Sequence, residues 1–282
     1  MINISGWLPA WCCVPITWLV AGVIHQLAGV QRRAIQANLK ALRPQRGALG
    51  LWWDGWQVFA QFGLTYLDRL WSLHHQREIE WTITGQDIFD QMKEAKGGAL
   101  VFTVHSGNYD IGAGMFARKF GRVVHIVRAP EQCEDLQALR TAELQREAQR
   151  YPNLRVHYND HSNILGLELC RILQKGEVVA VQGDRVMLAV APTQVQHGGI
   201  QFTIPLGPLM LADLTHMPCY PIFLTRQGVL RYHAEFGQPF VTAGEKLKAA
   251  EVADRWAPVL HEFLNQHWDQ WFVFEPLLQW IA

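Results

Sequence analysis

The rhythm of apolar and polar positions changes twice along this chain. Residues 7–24 form an uncharged, largely apolar run of eighteen, close to the lower limit of the ~17–25 residues that cross a bilayer as a helix. Pro9 and Pro15 each remove a backbone donor from that run, so a re-entrant or interfacial helix fits as well as a straight span, and a buried core helix is the plainer alternative. Residues 34–42 predict a short helix stopped near Pro44, and 51–73, rich in Trp, Phe and Leu, a longer one. From residue 78 the pattern alternates as strands do. EIEWTIT (78–84), the run 99–104 behind Gly97 and Gly98, 123–127 and 178–181 predict strands. Helical stretches fall near 110–120, 134–150 and 162–174 between them. Further strands are expected at 200–204, 220–224 and 230–236, with a helix near 209–216. Residues 246–267 close the chain as an amphipathic helix, apolar at Val252, Trp256, Val259, Leu260, Phe263 and Leu264.

Strands alternating with helices of this length predict an α/β fold with a central mixed, largely parallel sheet flanked by helices. The N-terminal apolar helix stands before it as a membrane anchor. The expected division is an N-terminal membrane-associated segment over 1–46 and a catalytic-sized domain over 47–282. Within the latter, 47–74 is an apolar helix and 75–275 the α/β core.

Charge sharpens this picture. The net charge is zero, yet residues 1–53 carry five basic residues (Arg32, Arg33, Lys40, Arg43, Arg46) and no acidic one, leaving 20 basic against 25 acidic beyond them. An uncharged leader followed by a basic collar points to a membrane edge with the collar on the cytoplasmic side, and not to nucleic acid, which wants positive charge over the folded body. A cleaved signal peptide would have its basic residues before the apolar run. Charged residues make up only 18% of the chain and hydrophobic ones 49%, which excludes disorder and a coiled coil. Cysteines 12, 13, 133, 170 and 219 show no metal or disulfide spacing and read as free thiols in a reducing compartment.

Candidate chemistry gathers after the strand GALVFTV, which runs into His105-Ser106-Gly107-Asn108-Tyr109-Asp110. Ligands of open α/β sheets sit beyond the carboxyl ends of strands, where His105 falls. Gly107 and Asn108 permit a tight turn. That turn brings Asp110 back towards the imidazole, where a carboxylate on one ring nitrogen fixes the tautomer and leaves the other as a base. The spacing alone is weak, because about one His-x4-acid match is expected by chance from 12 His and 25 acids. His75 and Glu80 make a second match, without the glycines. On the residues alone, a polar strand-end turn with Asp110 as a helix cap is the competing account.

HSGNYD resembles the His-x4-Asp block of the glycerolipid and lysophospholipid acyltransferase superfamily, and most closely the late acyltransferases of lipid A biosynthesis, which usually carry Glu at the Asp110 position. HIVRAPE, with Arg128, is similar to the second block. Gln182-Gly183-Asp184-Arg185 is similar to the third, where the wider superfamily has Glu in place of Gln182. Downstream, Phe202, Gly207, Ala212 and Pro221 and the NQHWDQWF ending resemble the lipid A branch. The resemblance covers roughly 30–275. It implies a membrane-associated enzyme of the bacterial inner membrane, on its cytoplasmic face, moving an acyl group from acyl carrier protein or coenzyme A to a hydroxyl or amine of a lipid or lipid-linked sugar. His105 and Asp110 would be catalytic, and Gly107, Asn108, Arg128, Asp184, Arg185 and Gly207 substrate-binding. The arginines would take phosphate on donor or acceptor, while Asp184 would either orient Arg185 or touch substrate. No cofactor beyond the thioester, no metal and no nucleic acid is expected.

Other constellations carry less. None of the four serines sits in Gly-x-Ser-x-Gly, so a covalent acyl-enzyme is not expected. His157 and His161 have helical ligand spacing, but 154–158 reads as extended, so a turn with exposed His is expected in place of a metal site. Gly112 and Gly114 imitate a dinucleotide fingerprint from inside a helix, where close helix–sheet packing explains them better. The alternatives are a thioesterase or lipid hydrolase using the same His–Asp pair on water, and a non-catalytic membrane lipid carrier.

Overall fold

The computed structural model describes residues 9–75, 77–128, 151–159, 164–186 and 190–281, without the side chains of residues 10, 74 and 110. The expected helix at 134–150 lies outside them, as do Cys133 and His161. Three helices come first: α1 (Ala10–Leu27), α2 (Gly29–Leu42) and α3 (Ala48–His74). The α/β body follows as β1 (Glu80–Thr84), α4 (Gln86–Glu94), β2 (Ala99–Thr103), α5 (Tyr109–Phe120), β3 (Val124–Arg128), β4 (Leu154–Tyr158), α6 (Ile164–Gln174) and β5 (Val178–Gln182). Then come β6 (Pro192–His197), β7 (Ile200–Pro205), α7 (Leu206–Thr215), β8 (Cys219–Gly228), β9 (Arg231–Phe236), α8 (Ala249–His267) and β10 (Leu278–Trp280).

Seven strands form one sheet in the order β1-β9-β8-β2-β5-β3-β4. β8, β2, β5, β3 and β4 run parallel, and β9 turns antiparallel to β8 before pairing parallel with β1. The fold is the expected mixed, largely parallel α/β sheet. The inner strands ALVFT and VVAVQ are buried on both faces, as continuous apolar runs in parallel sheets are. One core lies between the sheet and α6–α8, around Phe102, Phe202, Leu209, Trp256 and Leu260. A second lies on the α4–α5 face, around Phe89, Met92, Phe116 and Phe120. Gly112 and Gly114 serve that second face, because a Cβ on either would stand 2.1 Å from Leu224 Cδ1 or 2.4 Å from the Tyr151 ring. A smaller sheet, β10-β7-β6, lies apart from the large one.

α1 and α2 share a third core with α3 and the C-terminal segment, through Ala21, Ile35, Leu39, Val58 and Phe272. Among the described residues no single helix is long and apolar enough to cross a membrane. α1 and α2 form a bent apolar pair with a 97° break. Part of the basic collar is structural. The Arg32 guanidinium donates to the carbonyls of His25 and Gln26 at the end of α1, 3.0 Å each, where a cation complements the helix terminus. Arg43 and Arg46 grip the buried Asp54 carboxylate of α3 at 2.6 and 3.0 Å. Facing outward, α1 exposes Trp11 (78%), Leu19 (68%), Val23 (59%) and Leu27 (80%).

Candidate active site

The site is built by strand register. β2 and β5 are neighbouring parallel strands with Thr103 opposite Gln182. Two residues beyond each partner stand His105 and Asp184, so an in-register parallel pair delivers them side by side at the carboxyl edge of the sheet. Gly183 makes the approach possible: a Cβ there would meet Phe102 Cδ1 and Trp256 Nε1 at 3.0 Å. Its carbonyl accepts the Trp256 indole N–H at 2.9 Å.

Asp184 is fully buried and takes three donors. Oδ1 accepts from His105 Nδ1 at 2.9 Å. Oδ2 accepts the His105 backbone N–H at 2.9 Å and the Trp271 indole N–H at 2.8 Å. Burial alone would push this carboxyl up, but the His105 imidazole and these hydrogen bonds outweigh it and hold it below the usual carboxylate range. A carboxylate only accepts, so His105 Nδ1 carries the proton. In the neutral ring the lone pair is then on Nε2, the arrangement of a general base oriented by an acid. The imidazole, 5% exposed, stands edge-on to the Tyr109 ring at 5.3 Å between centroids.

The turn after His105 is clamped on several sides. Ser106 donates its hydroxyl to the Leu224 carbonyl of β8 at 2.8 Å and bridges backbone to Trp271, so it is committed to structure. The Phe272 N–H donates to the His105 carbonyl at 2.8 Å. Gly107 has φ +52°, and a Cβ there would lie 2.6 Å from the Leu224 carbonyl oxygen, which makes the position a glycine on both grounds. The Asn108 amide donates to the Thr65 carbonyl of α3 at 3.4 Å. Asn108 does not use its side chain to cap α5. Among the described residues, the backbone N–H groups of Gly107 and Asn108 donate to nothing. They are donors at a helix start next to a base, the arrangement that receives a developing oxyanion.

Of the residues singled out from the sequence, His105, Gly107, Asn108 and Asp184 come together. Asp110 stands in the first turn of α5, and its side chain lies outside the description. Arg128 closes β3, its carbonyl accepting the Asn159 N–H at 2.9 Å. Arg185 follows Asp184 and is ion-paired to Glu275 at 2.5 Å. Gly207 is the second residue of α7, and a Cβ there would stand 4.0 Å from Val190 Cγ1. Residues 154–158 are extended as expected, as strand β4, but His157 is half-buried and not exposed, with its Nε2 bonded to His125 Nδ1 at 2.8 Å. The part played by Trp271 and Phe272 was not read from sequence; the NQHWDQWF ending was the signal that pointed there.

Compared with known protein families, residues 4–280 match the family described as bacterial lipid A biosynthesis acyltransferase. A comparison with curated proteins finds no match.

Proposed function

Because the chain belongs to the bacterial lipid A biosynthesis acyltransferase family and is therefore an acyltransferase, we propose that His105 is its general base. In this reading it moves a fatty acyl group from a thioester of acyl carrier protein or coenzyme A to a hydroxyl or amine of a lipid A-type glycolipid. The observation that carries the reading is the ionised, buried Asp184 on His105 Nδ1, which leaves Nε2 to accept a proton. The acceptor oxygen or nitrogen attacks the thioester carbonyl as its proton passes to Nε2. The carbonyl oxygen becomes an oxyanion facing the Gly107 and Asn108 N–H groups. Collapse breaks the C–S bond, and the imidazolium returns its proton to the leaving thiolate. Asp184 stabilises the imidazolium between these steps. General-base catalysis of this kind contributes about 10²–10⁴ in rate. The thioester supplies the driving force, and no acyl-enzyme, metal or further cofactor enters.

Arg128, Arg185 and Gly207 are proposed contacts to the phosphate-bearing substrates. Phosphate reaching Arg185 would displace Glu275 from it. Asp110, at the helix start beside the oxyanion donors, is proposed to orient the acceptor. The exposed apolar residues of α1 support attachment to a membrane, which in this reading is the inner membrane at its cytoplasmic face.

The test is mass spectrometry on detergent-solubilised enzyme given acyl carrier protein and coenzyme A thioesters with a bacterial lipid extract, beside His105→Ala. A glycolipid that gains one acyl mass with the native protein, and at least about 10³-fold less with His105→Ala, is expected. Free fatty acid without acylated lipid would overturn transfer in favour of hydrolysis. Equal transfer by His105→Ala would remove His105 from the mechanism.

A further inference from the structure

A second buried polar cluster lies behind the catalytic turn. Asp68, two turns before the C-terminal end of the apolar helix α3, is fully buried. Its Oδ2 accepts the Arg226 Nε–H at 2.7 Å and the Tyr232 hydroxyl at 3.0 Å. Arg226 belongs to β8 and is fixed in turn. Its backbone N–H donates to Gln270 Oε1 at 2.6 Å, and its carbonyl accepts from Gln270 Nε2 at 3.0 Å. Tyr232 belongs to β9, and its hydroxyl has the Asn108 side chain as an electrostatic neighbour.

These contacts close a ring around the turn. Ser106 is tied to Leu224 of β8. Two residues along β8, Arg226 is tied to Asp68 of α3. One helical turn back on α3, the Thr65 carbonyl is tied to Asn108. Of these three ties, the Asn108–Thr65 bond is the longest at 3.4 Å, so it is the one that a small shift of α3 breaks. A buried carboxylate clips this end of α3 to the sheet, beside the apolar contacts that hold the rest of the helix. An ion pair buried this deeply adds little net stability over apolar packing, and fixing one arrangement is its best-attested use.

We propose that Asp68, acting through the position of α3 and Asn108, is a positioning residue that aims the Asn108 N–H at the developing oxyanion. The inference rests on the proposed role of the 105–108 turn. Loosening the Asp68 clip lets α3 and Asn108 shift together, so the donor misses the oxyanion. The ground-state thioester, bound elsewhere along its length, is affected little. The loss therefore falls on kcat and spares KM. Misplacement of a catalytic donor by about 1 Å costs on the order of 10²-fold.

The experiment uses full-length protein in detergent, with Asp68→Asn, Asn108→Ala, their double variant and Tyr232→Phe. Asp68→Asn keeps the shape and an acceptor for Arg226 and Tyr232. Its kcat is expected to fall about 10–100-fold with KM within about twofold. The double variant should lose no more than the worse single one, since both act on one N–H. Tyr232→Phe leaves the Asp68–Arg226 pair whole but removes the hydroxyl that faces both Asp68 and Asn108, and should lose less with the same unchanged KM. Asp68→Glu, which keeps the charge and displaces the carboxylate, serves where Asp68→Asn does not fold. Unchanged kcat, or losses that multiply in the double variant, would overturn the inference. Hydrogen exchange supplies a readout free of activity: peptides covering 104–112 should exchange about tenfold faster in Asp68→Asn or Tyr232→Phe, with those covering 178–185 unaltered. Unchanged exchange at 104–112 overturns the positioning role whether or not acyl transfer is seen. Absence of transfer by the native protein strikes the functional reading alone.

Discussion

At the scale of single residues, the proposed mechanism turns on which carboxylate holds His105. Nδ1 is held by Asp184, a residue 79 positions away in the chain. The His-x4-acid spacing could not point to it, because spacing reports only local neighbours. Asp184→Asn preserves volume and removes the charge that stabilises the imidazolium. It is expected to lower kcat about 10²–10⁴-fold while the secondary structure is retained and the melting midpoint falls, read by steady-state kinetics beside circular dichroism. The same carboxylate contributes to stability. Its folded-state pKa is depressed, so its contribution is present above the ordinary carboxylate range and is lost as pH falls through the folded value. Gly107 was legible as a turn residue. The reason it must be glycine, a Leu224 carbonyl 2.6 Å from where a Cβ would be, belongs to the packing.

At the scale of elements, most strands and helices follow from local pattern, and the exceptions are instructive. α4 and β6 are not legible in the sequence because DIFDQMKE and PTQVQH are polar enough to pass for loop, and they become ordered by burying a few side chains in the two cores (Ile88, Phe89, Met92; Val195). β3, β4, α6 and the residue that precedes β5 meet at a chain of four side chains invisible in sequence. Glu177 accepts from His125 Nε2, and His125 Nδ1 accepts from His157 Nε2. His157 Nδ1 then faces Glu168 at 3.6 Å. Burial, and then the neighbouring His125, lower the His157 pKa against the opposing pull of Glu168. A histidine held neutral in the fold stabilises it fully above the unfolded value of ~6.5 and loses that contribution as pH falls below it. Thermal melts from pH 7.5 to 5 should show a declining midpoint, and His157→Gln should flatten the decline. His261 and His267 shift in the same direction, so a slope remains in that variant. An equal slope in the two proteins would exclude His157.

For the whole molecule, an apolar helical face stands beside an α/β body. α1 shows solvent a row of side chains, Trp11, Leu19, Val23 and Leu27, that the body leaves uncovered, and such a face is the substrate of interfacial binding. The double substitution Leu19→Glu, Leu27→Glu should leave the fold intact, since both side chains point outward. It should weaken co-sedimentation with anionic phospholipid vesicles about tenfold or more. Retained binding would move the membrane contact away from α1. By itself the sequence determined the α/β class, the apolar N-terminal run, a candidate site at the end of 99–104 and the resemblance to lipid A acyltransferases. Each of these is written in local periodicity, turn residues or short motifs. Tertiary structure alone decided that β2 and β5 are neighbours in register. It therefore decided that Asp184 partners His105, that Trp271 completes the carboxylate's hydrogen bonds, and that Asp68 clips α3 to the sheet. Strand order and register arise from which apolar faces bury together over long separations, and no window along the chain contains both members of those pairs.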